Sequence, residues 1–258
     1  MGRVQAGGDL HVVERGAGGP ALVFLHYFAG SSAAWAPVID RLAGDHRCLA
    51  PDLRGFGRSP APPGGWTVAG AADDVETLLD ASGVGAFILV GHSMGGKIAL
   101  ALAARRLAGL KGLLLLAPSP PGPEPMEEEQ RTLLLRSRGK RGEVKASLSK
   151  ITRRTLEPGL FERCVADNIA TSPAAWSWWL ERGSREDLSG EIGRLAGSAL
   201  VLVGDGDVVL PRDVMERLVM PALPDARLAV VLGTGHLLPL EAPDEVAGHL
   251  RAFAESVC

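Results

Sequence analysis

Short runs of apolar residues alternate along the chain with segments that have the periodicity of helices. The runs cover residues 21–26, 47–53, 86–92, 112–118, 199–205 and 226–232. Uninterrupted apolar runs of this length are typical of strands buried on both faces of a parallel sheet. A mixed stretch at 9–16, followed by the turn sequence AGGP, predicts an earlier strand at the edge of that sheet.

Helical patterns fill the intervals between these runs. Ser32 is placed to cap a helix whose apolar positions share one face, namely Trp35, Val38, Ile39 and Leu42. Further helices are predicted over 67–82, over the small residues of 94–107, and after Pro243. Regular alternation of strands and helices indicates an α/β fold, with a mostly parallel sheet flanked by helices and right-handed crossovers.

The alternation stops between about 119 and 190. A stiff proline-rich stretch, PSPPGPEP, leads into helical patterns of a different composition, which include three of the five tryptophans. We interpret 119–190 as a helical cap that divides the core into 1–118 and 191–258. Residues 131–154 hold nine Arg and Lys residues and one acid. We expect these to be the solvated side of helices, and steering of anionic substrates is the alternative.

Composition narrows the classes of partner. The net charge of −3 gives no reason to expect nucleic acid, and three scattered cysteines suggest neither a metal site nor a disulfide framework. The opening residues lack the apolar core of a signal peptide, and no run reaches the roughly 18 apolar residues of a membrane helix. We therefore expect a soluble, cytoplasmic protein with a small-molecule substrate and no metal, cofactor or membrane partner. The oligomeric state stays open.

The strongest chemical signal is the stretch LVGHSMGG at 89–96. A strand runs into Gly-His-Ser-Met-Gly and a helix follows at once, which is the context that a G-x-S-x-G nucleophile turn requires. The turn is so tight that side chains two residues before and after the serine would collide, and Gly91 and Gly95 occupy those positions. Ser93 is thus the candidate nucleophile, at the N-terminus of a helix whose free N–H groups point toward it.

A serine nucleophile needs a base and an acid that orients the base. Of the six histidines, His236 lies in the loop after the last predicted strand, at the edge of the sheet where ligands bind in open α/β folds. Two aspartates follow the preceding strand. Asp207 lies deeper in that loop and is the candidate acid, whereas Asp205 is expected to hydrogen-bond the turn.

These motifs together resemble the α/β-hydrolase-fold serine hydrolases over nearly the whole chain. The matching stretches, in family order, are PDLRGFGRS (51–59), GHSMGG (91–96), VGDGDVVLP (203–211) and GTGHLLPLEAP (233–243). The family pattern G-x-x-D-x-x-x-P supports Asp207 as the acid, and the family places the base on His236. The chain order of nucleophile, acid and base is also that of the family.

The resemblance also implies an oxyanion hole, formed by the backbone N–H groups of Phe28 and Met94. Most members leave the first long strand through His-Gly-X, but this chain has HYFAG at 26–30. Tyr27 stands where glycine is usual, so the turn must either keep Tyr27 at negative φ or store strain. Its ring can pack beneath the turn, or its hydroxyl can reach the site.

The resemblance implies cleavage of small, mainly apolar carboxylic esters through an acyl-serine intermediate. Tyr27, Trp176 and Trp179 are the candidate substrate-binding residues, because the two tryptophans share a helix face and Trp178 does not. Hydrolysis of C–C bonds in ring-cleavage products, lactone hydrolysis and peptidase activity stay open. Perhydrolase or haloperoxidase activity is disfavoured because such enzymes tend to have proline where Ala29 stands. Dehalogenases and epoxide hydrolases carry aspartate in place of Ser93, so the serine argues against both activities. A non-catalytic binding protein on this fold usually lacks part of the triad, and all three candidate residues are present here.

Overall fold

The computed structural model describes residues 10–257 and contains a seven-stranded sheet. The strands are β1 (Val12–Arg15), β2 (Ala21–Leu25), β3 (Cys48–Pro51), β4 (Phe87–His92), β5 (Leu110–Leu116), β6 (Ala199–Gly204) and β7 (Arg227–Val231). Their order is β1-β3-β2-β4-β5-β6-β7; only β1 pairs antiparallel, at the predicted edge. The α/β fold with a mostly parallel sheet is confirmed.

Burial follows from strand position. The central strands β2, β4 and β6 are buried along their whole length, as their uninterrupted apolar sequences predict. The expectation of burial on both faces is wrong for β7, which is a sheet edge and stays partly exposed. Leu25 at the end of β2 pairs with Gly91 near the end of β4. This register places the turn after β2 directly beside the turn after β4.

Helices cover the sheet. These are α1 (Ala36–Leu42), α2 (Val68–Ala81), α3 (Met94–Ala104), α9 (Arg212–Val214), α10 (Leu238–Glu241) and α11 (Pro243–Val257), with a π-helical turn at Met215–Val219 after α9. The prediction of Ser32 as the first cap is wrong. Ser31 caps a short 3₁₀ helix, Ser32–Trp35, by accepting a hydrogen bond from Ala33 N, and α1 begins after it.

A helical insertion lies between β5 and β6, as predicted. Its helices are α4 (Glu128–Ser137), α5 (Arg141–Ile151), α6 (Pro158–Ala170), α7 (Pro173–Glu181) and α8 (Ser189–Ile192). The limits of the cap at 119 and 190 stay a prediction. Most of its basic residues are solvated, but Arg131 is buried and binds the Leu180 carbonyl and the Ser184 hydroxyl. Among residues 10–257, no helix combines the length and hydropathy needed to cross a membrane.

Candidate active site

Ser93 occupies a strained turn between β4 and α3. Its backbone has φ 52° and ψ −116°, a conformation that costs a non-glycine residue free energy and is found where function requires it. A Cβ atom at Gly91 would lie 2.7 Å from Gly95 O and from Gly96 Cα, and one at Gly95 would collide with the end of β2. The close approach predicted at both glycines is therefore present, and it holds the serine at the tip of the turn.

His236 lies within hydrogen-bonding distance of both of the other predicted triad residues, Ser93 and Asp207. His236 Nε2 is 3.0 Å from Ser93 Oγ, and His236 Nδ1 is 2.8 Å from Asp207 Oδ2. All three side chains are buried. Because Asp207 Oδ2 accepts a hydrogen bond from Nδ1–H, the proton of the neutral histidine stays on Nδ1, and Nε2 is an acceptor toward the serine hydroxyl.

The loop after β6 orients the acid. Asp207 Oδ1 accepts hydrogen bonds from Val209 N at 2.8 Å and Leu210 N at 3.0 Å, which leaves Oδ2 for the histidine. Asp205 instead accepts a hydrogen bond from Thr234 N at 3.2 Å, which joins it to the loop after β7. Burial raises the pKa of Asp207, but the adjacent His236 and the two backbone donors lower it by a larger amount. The net pKa of Asp207 is therefore below its usual value.

The electrostatic environment also poises the base. Burial lowers the pKa of His236, but the Asp207 carboxylate and its hydrogen bond raise it by more, and Glu124 and Glu241 add to the increase. The net pKa therefore lies above the usual 6.5. An imidazolium formed during proton transfer would be stabilised by the same carboxylate.

Glu241, which the sequence motif contained without suggesting a role, organises the histidine loop. Its Oε2 accepts from Gly235 N at 2.9 Å and its Oε1 from Leu237 N at 3.0 Å, on either side of His236. The same Oε2 accepts from Arg153 N at 2.6 Å and Arg154 N at 3.0 Å in the cap. One buried carboxylate thus fixes the backbone on both sides of His236, the predicted base, and ties this loop to the cap insertion.

The turn after β2 has its strain at a different residue from the one expected. Tyr27 keeps negative φ, whereas Ala29 has φ 61° in a turn closed by Gly30 N and Tyr27 O at 3.1 Å. His26 braces this turn: its Nε2 accepts from Leu53 N at 2.9 Å, so its Nδ1 carries the proton and donates to Tyr27 O at 2.8 Å.

The predicted oxyanion donors are available. Within residues 10–257, neither Phe28 N nor Met94 N donates a hydrogen bond to another residue. Phe28 N follows the Tyr27 carbonyl that His26 anchors, and Met94 N lies at the start of α3. Two free N–H groups, one in the turn after β2 and one at the nucleophile turn, are what a developing oxyanion requires.

The side chain of Tyr27 is buried between the turn and the cap. Its ring covers Gly30, where an added Cβ would lie 2.7 Å from the ring, and its hydroxyl reaches the Cys164 thiol on α6. Nearby, Ser31 Oγ donates to Asp167 Oδ2 at 2.6 Å, also on α6. Packing against the turn and cap is thus the interpretation that the contacts favour.

A cavity of about 110 Å³ opens at Ser93 and His236 between the sheet and the cap. Its walls include Trp176 and Trp179 but not Trp178, as their spacing predicts. The ring of Trp178 instead packs against that of Trp66, with the centroids 5.9 Å apart and the planes tilted by 43°. Tyr27 lines the cavity as well, and its role and those of the two tryptophans in binding substrate stay predictions. Among residues 10–257, no cluster of His, Cys, Asp and Glu could hold a metal ion.

Solved structures of similar fold include hydrolases and a peroxidase. The thermophilic esterase from Thermogutta terrifontis matches with a TM-score of 0.82 and 28% identity, over 96% of this chain and 93% of that one. The bromoperoxidase from Bacillus anthracis matches with a TM-score of 0.87 and 19% identity, over 95% of each chain, which shows a common fold.

Sequence relatives give a similar picture. Lipase 3 from Moraxella sp. is 25% identical over 265 residues, covering 93% of this chain and 78% of that protein. Other curated relatives, among them an epoxide hydrolase, a haloalkane dehalogenase and a lipase, are 36–41% identical over stretches of only 90 to 115 residues, and this chain spans 23–42% of their length. A family model described as the α/β hydrolase fold matches residues 20–243, and the chain belongs to that family.

Proposed function

We propose that this protein is a serine hydrolase that cleaves small, mainly apolar carboxylic esters through an acyl-serine intermediate. The observation that carries the proposal is the hydrogen-bonded series Ser93–His236–Asp207, with distances of 3.0 and 2.8 Å, beside the two unpaired N–H groups of Phe28 and Met94. This arrangement supplies a nucleophile, a base, an orienting acid and anion donors, which acyl transfer requires.

In the first half-reaction, His236 takes the hydroxyl proton as Ser93 Oγ attacks the ester carbonyl carbon. The carbonyl oxygen becomes an oxyanion held by the N–H groups of Phe28 and Met94. When the tetrahedral intermediate collapses, the bond to the alcohol oxygen breaks and His236 returns the proton to the departing alcohol. Asp207 stabilises the imidazolium while it exists.

In the second half-reaction, His236 takes a proton from a water molecule that attacks the acyl carbon. A second oxyanion forms in the same place, the bond to Ser93 Oγ breaks, and the proton passes to the serine. The acid leaves and the enzyme is restored. His236 carries the proton in every step, so the protons and bonds of the two half-reactions balance without a cofactor.

The walls of the cavity and the relatives support ester substrates. The cavity is lined largely by apolar and aromatic side chains, which suits a substrate with an apolar body. Several similar proteins are described as esterases or lipases. Ser93 stands where enzymes of the dehalogenase and epoxide hydrolase types use aspartate, which disfavours both of those activities. Ala29 stands where perhydrolases and haloperoxidases tend to have proline, and its φ of 61° is a conformation that proline cannot adopt.

The test is hydrolysis of p-nitrophenyl esters from acetate to decanoate by the unaltered protein and by Ser93→Ala. We expect kcat/KM to fall by about 10⁴-fold or more in the variant, since removing the nucleophile leaves little beyond binding. A fluorophosphonate probe should label the unaltered protein and not the variant. Equal rates for both proteins on every ester, or labelling that persists in Ser93→Ala, would refute the proposal.

A further inference from the structure

A carboxyl group that the proposed mechanism does not use lies in the wall of the same cavity. Glu124, in the proline-rich exit from β5, is only 9% exposed. Its Oε2 accepts a hydrogen bond from Ser119 Oγ at 2.9 Å, and the backbone N–H of Ser119 donates to the carbonyl of Ser93 at 3.0 Å. Glu124 is therefore held in a defined position close to the nucleophile turn.

The other oxygen of this carboxyl group, Oε1, accepts no hydrogen bond from any of residues 10–257. Oε1 is not among the fully buried side-chain atoms that lack a partner, so it keeps contact with open space. Since Glu124 lines the cavity, the partner that would satisfy Oε1 can reach it from there.

Neighbouring cations are engaged elsewhere. Lys97 Nζ donates to the carbonyls of Gly122 at 2.9 Å and Glu186 at 2.5 Å, and Arg131 binds Leu180 and Ser184. Burial raises the pKa of Glu124 by more than the Ser119 hydrogen bond and the charges of His236, Lys97 and Arg131 lower it, so the net pKa lies above the usual value. A positive charge bound beside Oε1 would lower this pKa and favour the ionised form.

The remaining walls are suited to an organic cation. Glu124 is the one acidic side chain among the described residues that line the cavity, and neither lysine nor arginine is among them. The aromatic rings of Phe28, Trp176 and Trp179 lie in the same walls. A carboxylate together with aromatic faces is the environment in which alkylammonium groups bind.

From this geometry we infer that Glu124 is a specificity-determining residue, which binds a positively charged alkylammonium group on the acyl or the alcohol portion of the ester. The inference rests on the proposed ester hydrolysis and names its substrate class: esters of amino acids in the broad sense, or of amino alcohols. Esters with a carboxylate at the same place would be repelled.

The test uses pairs of esters that differ only in charge. On the acyl side, p-nitrophenyl 4-(trimethylammonio)butyrate is compared with p-nitrophenyl 5,5-dimethylhexanoate; on the alcohol side, butyrylcholine is compared with 3,3-dimethylbutyl butyrate. We expect kcat/KM for the cation to exceed that for its neutral match by about tenfold in one of the pairs. Glu124→Gln should reduce this ratio to near one. Because both esters of a pair meet the same protein, an effect of the substitution on the pKa of His236 cancels in the ratio.

Glu129→Gln is the matched control, because Glu129 is an exposed carboxylate of the same cap and its loss changes the net charge equally. Its charge preference should equal that of the unaltered protein. A ratio of one or less in both pairs for the unaltered protein overturns the inference, and this result does not depend on any variant folding. An unchanged ratio in folded Glu124→Gln overturns it as well.

The neutral esters separate this inference from the proposed function. If the unaltered protein hydrolyses neither the neutral nor the cationic esters faster than Ser93→Ala, ester hydrolysis is refuted. The proposed ammonium-binding subsite at Glu124 is then tested by calorimetry. The binding of benzyltrimethylammonium is measured for Ser93→Ala and for the double variant Ser93→Ala/Glu124→Gln. Binding that is about tenfold weaker without the carboxylate supports the subsite. Equal binding, or none to either protein, refutes it.

Discussion

The imidazole of His92 donates a hydrogen bond from its Nε2 to the backbone carbonyl of His236, at 2.7 Å. The two rings lie 5.2 Å apart, so a polar contact and a packing contact both join the nucleophile turn to the base loop. Burial, followed by the charge of His236, lowers the pKa of His92 to about 3. The ring is therefore neutral in ordinary buffers and serves as a fixed donor that positions the base.

Replacing His92 by phenylalanine keeps a ring of similar size but removes the donor. The buried carbonyl of His236 then loses its partner, which should destabilise the protein by about 1–3 kcal/mol and lower kcat more than it changes KM. Thermal or urea unfolding and ester kinetics measure the two effects. His92→Gln provides an N–H at a similar reach and should recover part of kcat; recovery no better than in His92→Phe would show that the ring packing matters instead.

Glu241→Gln should destabilise the protein although it changes one atom. The carboxylate accepts four backbone hydrogen bonds, and an amide nitrogen in place of one oxygen would face at least one of these N–H donors. We expect the free energy of unfolding to fall by about 2–3 kcal/mol. Urea unfolding with an unchanged m-value measures this.

The matched control is Glu255→Gln, because Glu255 is an exposed carboxylate on α11 and makes the same change in net charge. Its midpoint in urea should equal that of the unaltered protein. A shift of the same size in both variants would mean that net charge, rather than the backbone bonds around His236, stabilises the fold.

The activity should require neutral His236 and depend on pH accordingly. Because the pKa of His236 is raised, kcat/KM should increase with pH through a midpoint above 6.5. His92 and His26 do not contribute to this transition, since burial lowers both of their pKa values. Rates from pH 5 to 9 on an uncharged ester give the midpoint.

Asp207→Asn tests the cause of that midpoint. Loss of the carboxylate removes the charge and the hydrogen bond that raise the pKa of His236, so the midpoint should move to lower pH. The rate should also fall by about 10⁴-fold, as when the base loses its orienting acid. The same midpoint in Asp207→Asn would show that another group titrates.

How much was predictable depends on whether a residue's position follows from its own strand. Ser93, Asp207 and His236 each follow a strand, and parallel strands end at one edge of the sheet, so their meeting could be predicted from local patterns. The role of Glu241 could not, because its acceptor bonds reach into the cap, and no local pattern places residue 153 beside residue 241. Glu124 is similar, since the cap encloses the carboxyl group.

Two local details, the N-cap residue of the first helix and the strained residue of the turn after β2, could not be predicted from residue type alone. Ser31 and Ser32 are equally good caps by residue type, and the choice depends on Asp52, whose carboxylate accepts a hydrogen bond from Ser32 N at 2.7 Å. Tyr27 drew attention as the bulky residue in a glycine position, yet the positive φ falls two residues later. Side-chain type indicates that a turn is unusual, but backbone contacts decide which residue takes the strain.

Ala29→Pro should therefore disable the oxyanion turn. Proline holds φ near −65°, whereas Ala29 has φ 61°, so the turn closed by Gly30 N and Tyr27 O cannot form. The N–H of Phe28 would then be displaced, and loss of one oxyanion donor typically costs about 10²–10³ in kcat. Steady-state kinetics on a short-chain p-nitrophenyl ester should show this loss in kcat with little change in KM.

Ala29→Gly separates the backbone from the side chain at the same position. Glycine adopts positive φ readily, so the turn should form and kcat should stay within about twofold of the unaltered protein. If Ala29→Gly lost as much activity as Ala29→Pro, the buried methyl group rather than the backbone conformation would be responsible. If Ala29→Pro kept its full kcat, Phe28 N would not be an oxyanion donor. A different N–H group would then have to act together with Met94 N as the second donor to the oxyanion. The pair of variants therefore tests the backbone of this turn directly, because neither substitution introduces or removes a polar side chain near Ser93.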